Sequence, residues 1–558
     1  MKLPERWIHR GLAAALFLAA FVSVIWAQRE HGVVRDEDVY MNAGSRYAGW
    51  YLGLFTGDSG TSPESIRSHF GGPRVTDNNR EHPALMKTLF GLSERVLHRS
   101  LGLTSSITGY RVPTALVNAL LVLLVFLLVA SVWGRAEAIA AALLTLLLPR
   151  AFFHAGLATF DAPIAALWFA VLYAYFRTLA SRRWLWGLGA IFGCALATKH
   201  NAILLPVALA VHYAWLCVRG ARAGKPWWGP RPSLWLGLLV VGPVVFMCLW
   251  PWLWFDTADH IRDWLGFHFH HIHYNYEYLG HNYNHAPYPW HAPIVTTLFT
   301  VPVITLAAGA LGAGLLIWRA RHGQAAEPER APALLLLLSA GVAMGPFLLR
   351  SQPIFGAEKH WAAAIPTIAI YAGIGLVWAA RLAAERLAAA GLIPTARLPV
   401  ARTAAVAALI TLAGAAALTE TAAAQPYALS HYNALAGGAP GGADLGMNRQ
   451  FWGYAARGVL PYLNEQAASG PVELYAHDAD MTFGAYRRDG LVSPRVKVKD
   501  REDKGVHDSG YAIVVHELHF NRHDYMIWKD YGTVQPVFVL RFQGVPIVTV
   551  YRRPPAGR

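Results

Sequence analysis

The apolar residues of this chain fall in long runs. Charge is sparse from residues 11 to 27, 112 to 132, 136 to 153, 162 to 176, 184 to 198, 202 to 218, 233 to 252, 293 to 318, 331 to 349, 361 to 380 and 402 to 419. Runs of roughly 18–20 apolar residues suffice to carry a helix across a bilayer. The pattern predicts a polytopic α-helical membrane protein of about eleven transmembrane helices. After Thr419 the pattern changes. Residues Gly458 to Ala468 read as a helix leading into a strand at PVELYAH, and Tyr511 to Leu518 reads as a second strand. Val537 to Arg553 reads as two strands joined around Gln543 and Gly544. The chain therefore divides into a membrane domain, 1–419, and a small α/β domain, 420–558, large enough for its own modest core.

Charge sets the topology. The formal net charge of +14 would suit nucleic acid if it were clustered. Instead Arg135, Arg177, Arg182, Arg183, Arg219, Arg222, Lys225, Arg231, Arg319, Arg321, Arg381 and Arg386 lie in short segments between apolar runs. That is the signature of cytoplasmic loops. With the N-terminus inside and an uncleaved first helix, the tail from Glu420 onward lies outside. So do Gln28 to Tyr110, His154 to Asp161, Pro251 to Ala292 and Arg350 to His360. The Ala-rich stretch Ala379 to Ala390 reads as a separate cytoplasmic amphipathic helix. Cys194, Cys217 and Cys248 all sit in apolar runs and give no disulfide or metal spacing.

The unusual polar residues gather in the outside segments. RDEDVY, Arg35 to Tyr40, places Asp36, Glu37 and Asp38 just beyond the first span, where carboxylates meet both water and substrate. Met41 to Phe55 reads as a helix along the interface. EHPALMK brings Glu81, His82 and Lys87 together. Asp161 opens a span with Pro163 behind it, an arrangement that also suits a helix N-cap. Lys199 and His200 occupy an outer turn, where the positive-inside rule disfavours lysine unless it has an anionic partner. Glu358, Lys359 and His360 precede another span. Between Arg262 and Pro293 lie His268, His270, His271, His273, His281, His285 and His291. On a helix, His268 with His271, or His270 with His273, would share one face, and neutral imidazoles suit zinc or another divalent ion. Carboxylates of this kind deprotonate a hydroxyl or amine nucleophile, and lysines hold a phosphate leaving group. A lipid-phosphate sugar donor fits, with its tail in the bilayer and its phosphate at the interface.

An acidic pair after the first span, EHP late in the first loop, an aspartate before a later span and a soluble tail resemble the GT-C superfamily of polyprenyl-phosphate-sugar glycosyltransferases. Within it the chain is most similar to protein O-mannosyltransferases of glycosyltransferase family 39 and their bacterial aminoarabinose-transferase relatives, over roughly residues 5 to 380. PIFGAEKHWAAAIPTIAIYAG resembles the late segment of that family, with Lys359 standing where the family has arginine. HYNALAGG and FWGYA resemble a tail segment of bacterial members. The resemblance implies Asp36 as catalytic base with Glu37 beside it, and Asp161 as a second acid. It implies donor-phosphate contacts from His82, Lys87, Lys199, Lys359 and His360, His82 standing in for a lysine. Through Glu81 and His271, preferred over His270, it implies a divalent metal ion as the one candidate cofactor. Asp38 has no counterpart.

The reading is an inner-membrane enzyme, N-terminus cytoplasmic and C-terminal domain periplasmic. It would transfer a sugar, with inversion, from a polyprenyl-phosphate donor to a periplasmic protein, lipid A or glycan. Two other classes compete. A transporter or flippase needs polar groups near the membrane midplane and paired inverted halves, whereas here they collect on one side. A histidine-rich metal-binding protein would depend on His268 to His291 and not on Asp36.

Overall fold

The computed structural model describes residues 5–71, 79–271, 273–324, 327–499, 503–517 and 521–555. Eight of its helices are long and apolar enough to span a membrane, from Arg6–Ala27 to Thr395–Ala424. A ninth span forms if the helices Arg135–Leu146 and Pro149–Ala155, bent by 72° at their junction, act as one. Two further runs, 184 to 198 and 233 to 252, form the shorter helices Leu185–Leu196 and Leu234–Cys248. These two pack against each other because Gly189 and Gly193 let the partner's backbone approach; a side chain at either glycine would meet the Gly237 or Gly242 carbonyl.

The helix Ile365–Ala389 runs unbroken through the stretch expected to form a separate cytoplasmic helix. No glycine or proline interrupts residues 376–389 to end it. Arg381 in its C-terminal half donates to Glu137 at 2.7 Å, fixing this helix to Arg135–Leu146. The histidine-rich segment also differs from a single interfacial helix. The helix Thr257–Phe269 stops at His270, and the chain turns into a two-stranded hairpin, β1 (Tyr276–Tyr278) and β2 (His281–Tyr283). Its turn places Leu279 and Gly280 at φ 48° and 76°, the left-handed pair that a tight hairpin requires. Ile272 lies outside the described residues.

The first outer loop opens with the helix Arg35–Thr56, preceded by the extended residue Val34. It packs side by side with Leu85–Glu94, running in the same direction, through Gly44 and Gly91. A side chain at Gly91 would collide with the Gly44 carbonyl, and one at Gly44 with the Lys87 carbonyl. This close approach brings the acidic N-terminus of one helix toward the EHP loop.

The last apolar helix, Leu398–Ala424, delivers the chain to the C-terminal domain. There the helix Leu460–Ser469 precedes a five-stranded sheet: β3 (Val472–Tyr475), β4 (Val496–Val498), β5 (Tyr511–Val515), β6 (Phe538–Phe542) and β7 (Val545–Arg552). The sheet order is β4-β3-β5-β7-β6. The first three strands are parallel and β7 pairs antiparallel with β5 and β6. Gln543 and Gly544, both at positive φ, make the expected β6–β7 turn. Leu518 lies outside the described residues. The domain seats directly on one end of the helix bundle. Asp489 accepts from the backbone N–H groups of Ser106 and Ile107 at 2.9 and 3.1 Å, capping the helix Ser106–Val132. Tyr486 accepts from the Val33 N–H at 2.8 Å.

Candidate active site

Asp36, Asp161, Lys199 and Lys359 come from four distant segments and meet at one end of the helix bundle. Asp161 is the first residue of the helix Asp161–Ala180, but it does not cap it; Phe160 holds the cap position without a side-chain bond. The Asp161 carboxylate turns instead to the Lys199 ammonium at 2.7 Å, both groups being buried. The lysine in the outer turn thus has its anionic partner. Asp36 stands in the first turn of Arg35–Thr56, with Lys359 at 3.7 Å and the Tyr40 hydroxyl at 3.5 Å. Its side chain is 37% exposed, against 6% for Asp161, so Asp36 is the carboxylate that an incoming molecule can reach. Tyr40, buried and stacked on Phe160 at 4.1 Å, lies between these acids. Burial, then the charges of Asp36, Asp161 and Glu81, push its phenol well above the usual range.

Glu37 occupies a different place from its neighbour. It is fully buried and takes two bonds from Arg111, at 2.8 and 2.7 Å. It also accepts from the Ala158 N–H at 2.7 Å and the Val34 N–H at 3.1 Å. Arg111 spends its remaining donors on the carbonyls of Gln28, His31 and Gly32. One buried ion pair therefore joins the start of the segment after the first span, the helix Ser106–Val132 and the turn that leads to Asp161. Asp38 is held by Asn42 at 3.0 Å, with Arg488 of the C-terminal domain at 3.8 Å.

The cations of the site differ in what they have left to give. Lys87 is fully buried, and its ammonium reaches the Tyr47 hydroxyl, the Asn79 carbonyl and side chain, and the His82 carbonyl. Three donors cannot serve more than these, so Lys87 ties the EHP loop to itself. Burial lowers its pKa to about 7, with the Glu81 charge opposing the fall. Among the described residues, the Lys199 ammonium has one hydrogen bond, to Asp161. The ammonium of Lys359, a residue buried to 6% exposure, makes no hydrogen bond among the described residues, and its charge is met by Asp36 and by three aromatic rings.

The histidines line the site beside the lysines. His82 packs among Tyr40, Phe160, Phe267 and His268, and His200 stacks on His268 at 3.7 Å. His360 accepts from the Gly356 N–H at 3.3 Å, and His271 stacks on Phe355 at 5.4 Å. Burial lowers the pKa of His82 and His360 well below the ordinary value and that of His268 to about 3. Positive charge at this end accordingly belongs to the lysines. Among the described residues, the buried atoms Glu81 Oε2, His82 Nδ1 and His200 Nδ1 have no hydrogen-bond partner. Such atoms cost about 1–3 kcal/mol each when nothing satisfies them. Among the described residues, no three His, Cys, Asp or Glu side chains form a group that could hold a metal ion.

The sequence reading did not single out Arg111, Tyr40 or Trp452. Arg111 carried the one available signal, a basic residue at the outer end of an apolar run where the positive-inside rule disfavours it.

Residues 97–253 match the model of the dolichyl-phosphate-mannose-protein mannosyltransferase family. The matched stretch holds Asp161 and Lys199, while Asp36 and Lys359 lie outside it. No curated protein matches the chain by sequence. Among solved structures, ArnT from Cupriavidus metallidurans is similar both bound to undecaprenyl phosphate and in the apo state. The TM-score is 0.50 in both cases, at 15% and 16% identity, over 96% of this chain and 97% of ArnT. AglB from Archaeoglobus fulgidus, an archaeal oligosaccharyltransferase in complex with an inhibitory peptide and a dolichol-phosphate, aligns with a TM-score of 0.47 and 12% identity. That alignment covers 95% of this chain and 72% of AglB. The chain is a multi-pass membrane protein with an ArnT-like fold, helical with a small C-terminal sheet domain. The family match and the shared fold bear out the resemblance read from the sequence.

Proposed function

We propose that the protein is a membrane glycosyltransferase that moves a sugar from a polyprenyl-phosphate donor to an acceptor at the outer face of a bacterial inner membrane. The observation that carries this reading is the pairing of a reachable carboxylate, Asp36, with a buried ammonium that has no hydrogen bond, Lys359, beside the Asp161–Lys199 pair. An ammonium with spare donors in a water-poor site binds phosphate far more strongly than the same group in water. The family match over residues 97–253 supports a lipid-phosphate sugar donor. ArnT was solved with undecaprenyl phosphate, which a donor of this class would release.

In the reaction, an acceptor O–H or N–H attacks the anomeric carbon while the bond from that carbon to the phosphate oxygen breaks. The electron pair leaves with the polyprenyl phosphate, whose gained charge Lys359 and Lys199 stabilise. Asp36 takes the acceptor proton, and attack opposite the leaving group inverts the anomeric carbon. Asp161 orients Lys199. Glu37 acts as a positioning residue, since the Arg111 pair fixes the backbone on which Asp36 and Asp161 stand. Lys87 holds the loop that carries Glu81 and His82, leaving the phosphate to Lys199 and Lys359.

The test is turnover in proteoliposomes with a panel of synthetic polyprenyl-phosphate sugars and periplasmic acceptors. Sugar transfer with stoichiometric release of polyprenyl phosphate is the expected result, and Lys359→Met should raise the donor KM by about tenfold or more. Movement of intact donor across the bilayer without transfer would contradict the reading.

A further inference from the structure

The C-terminal domain reaches the site through one short segment, Gln450 to Trp452. The Lys359 ammonium lies 3.9 Å from the centroid of the Trp452 ring, 5.3 Å from Phe451 and 5.0 Å from Phe355. Three ring faces within about 6 Å of one cation form an aromatic box, and such contacts strengthen when water is excluded. Trp452 is itself buried and touches His154 edge-on at 5.9 Å, so it also closes the site on that side.

The segment is fastened on both sides. The Trp452 carbonyl accepts from the backbone N–H of Arg35, the residue before Asp36, at 3.1 Å. Gln450 donates to Glu517 at 2.6 Å, and Glu517 also accepts from the Arg35 guanidinium, at 3.4 and 3.2 Å. Arg35 pairs in addition with Asp478. Trp452 adopts φ 75° and Ala357, two residues before Lys359, φ 47°. A bulky residue in the left-handed region is strained, and the surroundings must hold it there. Trp452 is held in this conformation with its ring against Lys359.

We propose that residues 420–558 complete the active site: Phe451 and Trp452 of this domain, with Phe355, box the Lys359 ammonium and present it to Asp36 and to the phosphate of a lipid-linked donor. The inference rests on the donor reading for its ligand, though the box itself does not. The three aromatics are positioning residues. They hold the cation without using its hydrogen-bond donors, so all three donors stay available to phosphate oxygens, as those of Lys87 do not. The domain then makes donor binding depend on its own docking, through Arg35 and Glu517.

Two measurements on the full-length protein separate the box from the ligand. The first is competitive acylation of Lys359 followed by mass spectrometry. Trp452→Leu should raise its labelling rate about tenfold and Trp452→Phe should leave it near wild type, as expected when a ring face shields the amine. The second is the Kd for a polyprenyl monophosphate in mixed micelles, with mono-, di- and trifluorotryptophan placed at 452. Fluorination withdraws ring charge at nearly constant shape, so Kd should rise stepwise, to about tenfold in all. Polyprenyl phosphate binding with a flat fluorination series, or labelling unchanged in Trp452→Leu, overturns the proposal. Faster labelling in Trp452→Leu with no binding of the phosphate to wild type would uphold the box and reject the donor reading.

Discussion

Glu37 and Lys359 are two opposite solutions for a charge kept out of water. Glu37 has every acceptor position filled, two of them by Arg111, and both side chains are fully buried. Removing one partner of such a pair strands the other, so Glu37→Ala or Arg111→Met should each cost about 3–5 kcal/mol. Thermal unfolding in detergent checks this, and the losses should be far from additive in the double variant, since the two changes remove one interaction. Among the described residues, the Lys359 ammonium is left without hydrogen bonds. Burial pulls its pKa below the usual lysine value while the Asp36 carboxylate opposes the fall. The charged form binds phosphate, so affinity for polyprenyl phosphate should be lost as pH rises through this lowered pKa. Asp36→Asn removes the opposing charge, so the loss should come at lower pH than in wild type. Coincident pH profiles for the two proteins would show that Asp36 does not act on Lys359.

At the scale of elements, two small features set the geometry. Gly44 and Gly91 bring the Asp36 helix against the Lys87 helix with no room for a β-carbon. Gly91→Val should therefore cost at least as much as an overpacked core, about 1–3 kcal/mol, and lower the yield of folded protein. Asp489 caps the helix Ser106–Val132 from another domain. Asp489→Ala should cost about 0.5–2 kcal/mol and speed limited proteolysis between the membrane bundle and the sheet domain. The acidic cluster, the spans and the β6–β7 turn were legible in the sequence because each is a local pattern: a run of apolar residues, a charge at its end, a Gln-Gly turn. The partners were not. Which lysine keeps its donors depends on where Asn79, Tyr47 and Asp161 fall in space, so Lys87 and Lys199 looked equivalent to Lys359. Glu37 looked able to join Asp36 in the chemistry, and what ties it up instead is Arg111, over seventy residues away. The end of the histidine-rich helix at His270 was likewise hidden, because the hairpin turn there uses Leu279 at positive φ, a residue that carries no turn signal.

For the whole molecule, the site end of the bundle is one continuous construction. The loops around Asp36, Asp161, Lys199 and Lys359 all arrive on the same side, as the charge pattern required, and the C-terminal domain seals them through Arg35, Asp489 and Trp452. That domain was visible in the sequence as a fold of its own, but its part in the site was not, since Phe451 and Trp452 lie almost a hundred residues from Lys359. The central claim is that Asp36 takes the acceptor proton while the lysines hold the donor phosphate. Comparing transfer by wild type and Asp36→Asn from one synthetic polyprenyl-phosphate sugar tests it most directly, with donor-phosphate affinity measured at neutral pH on the same samples. The predicted result is near-wild-type affinity with transfer slowed by about 10²–10⁴-fold, the usual contribution of a positioned base. Transfer by Asp36→Asn at the wild-type rate would contradict it.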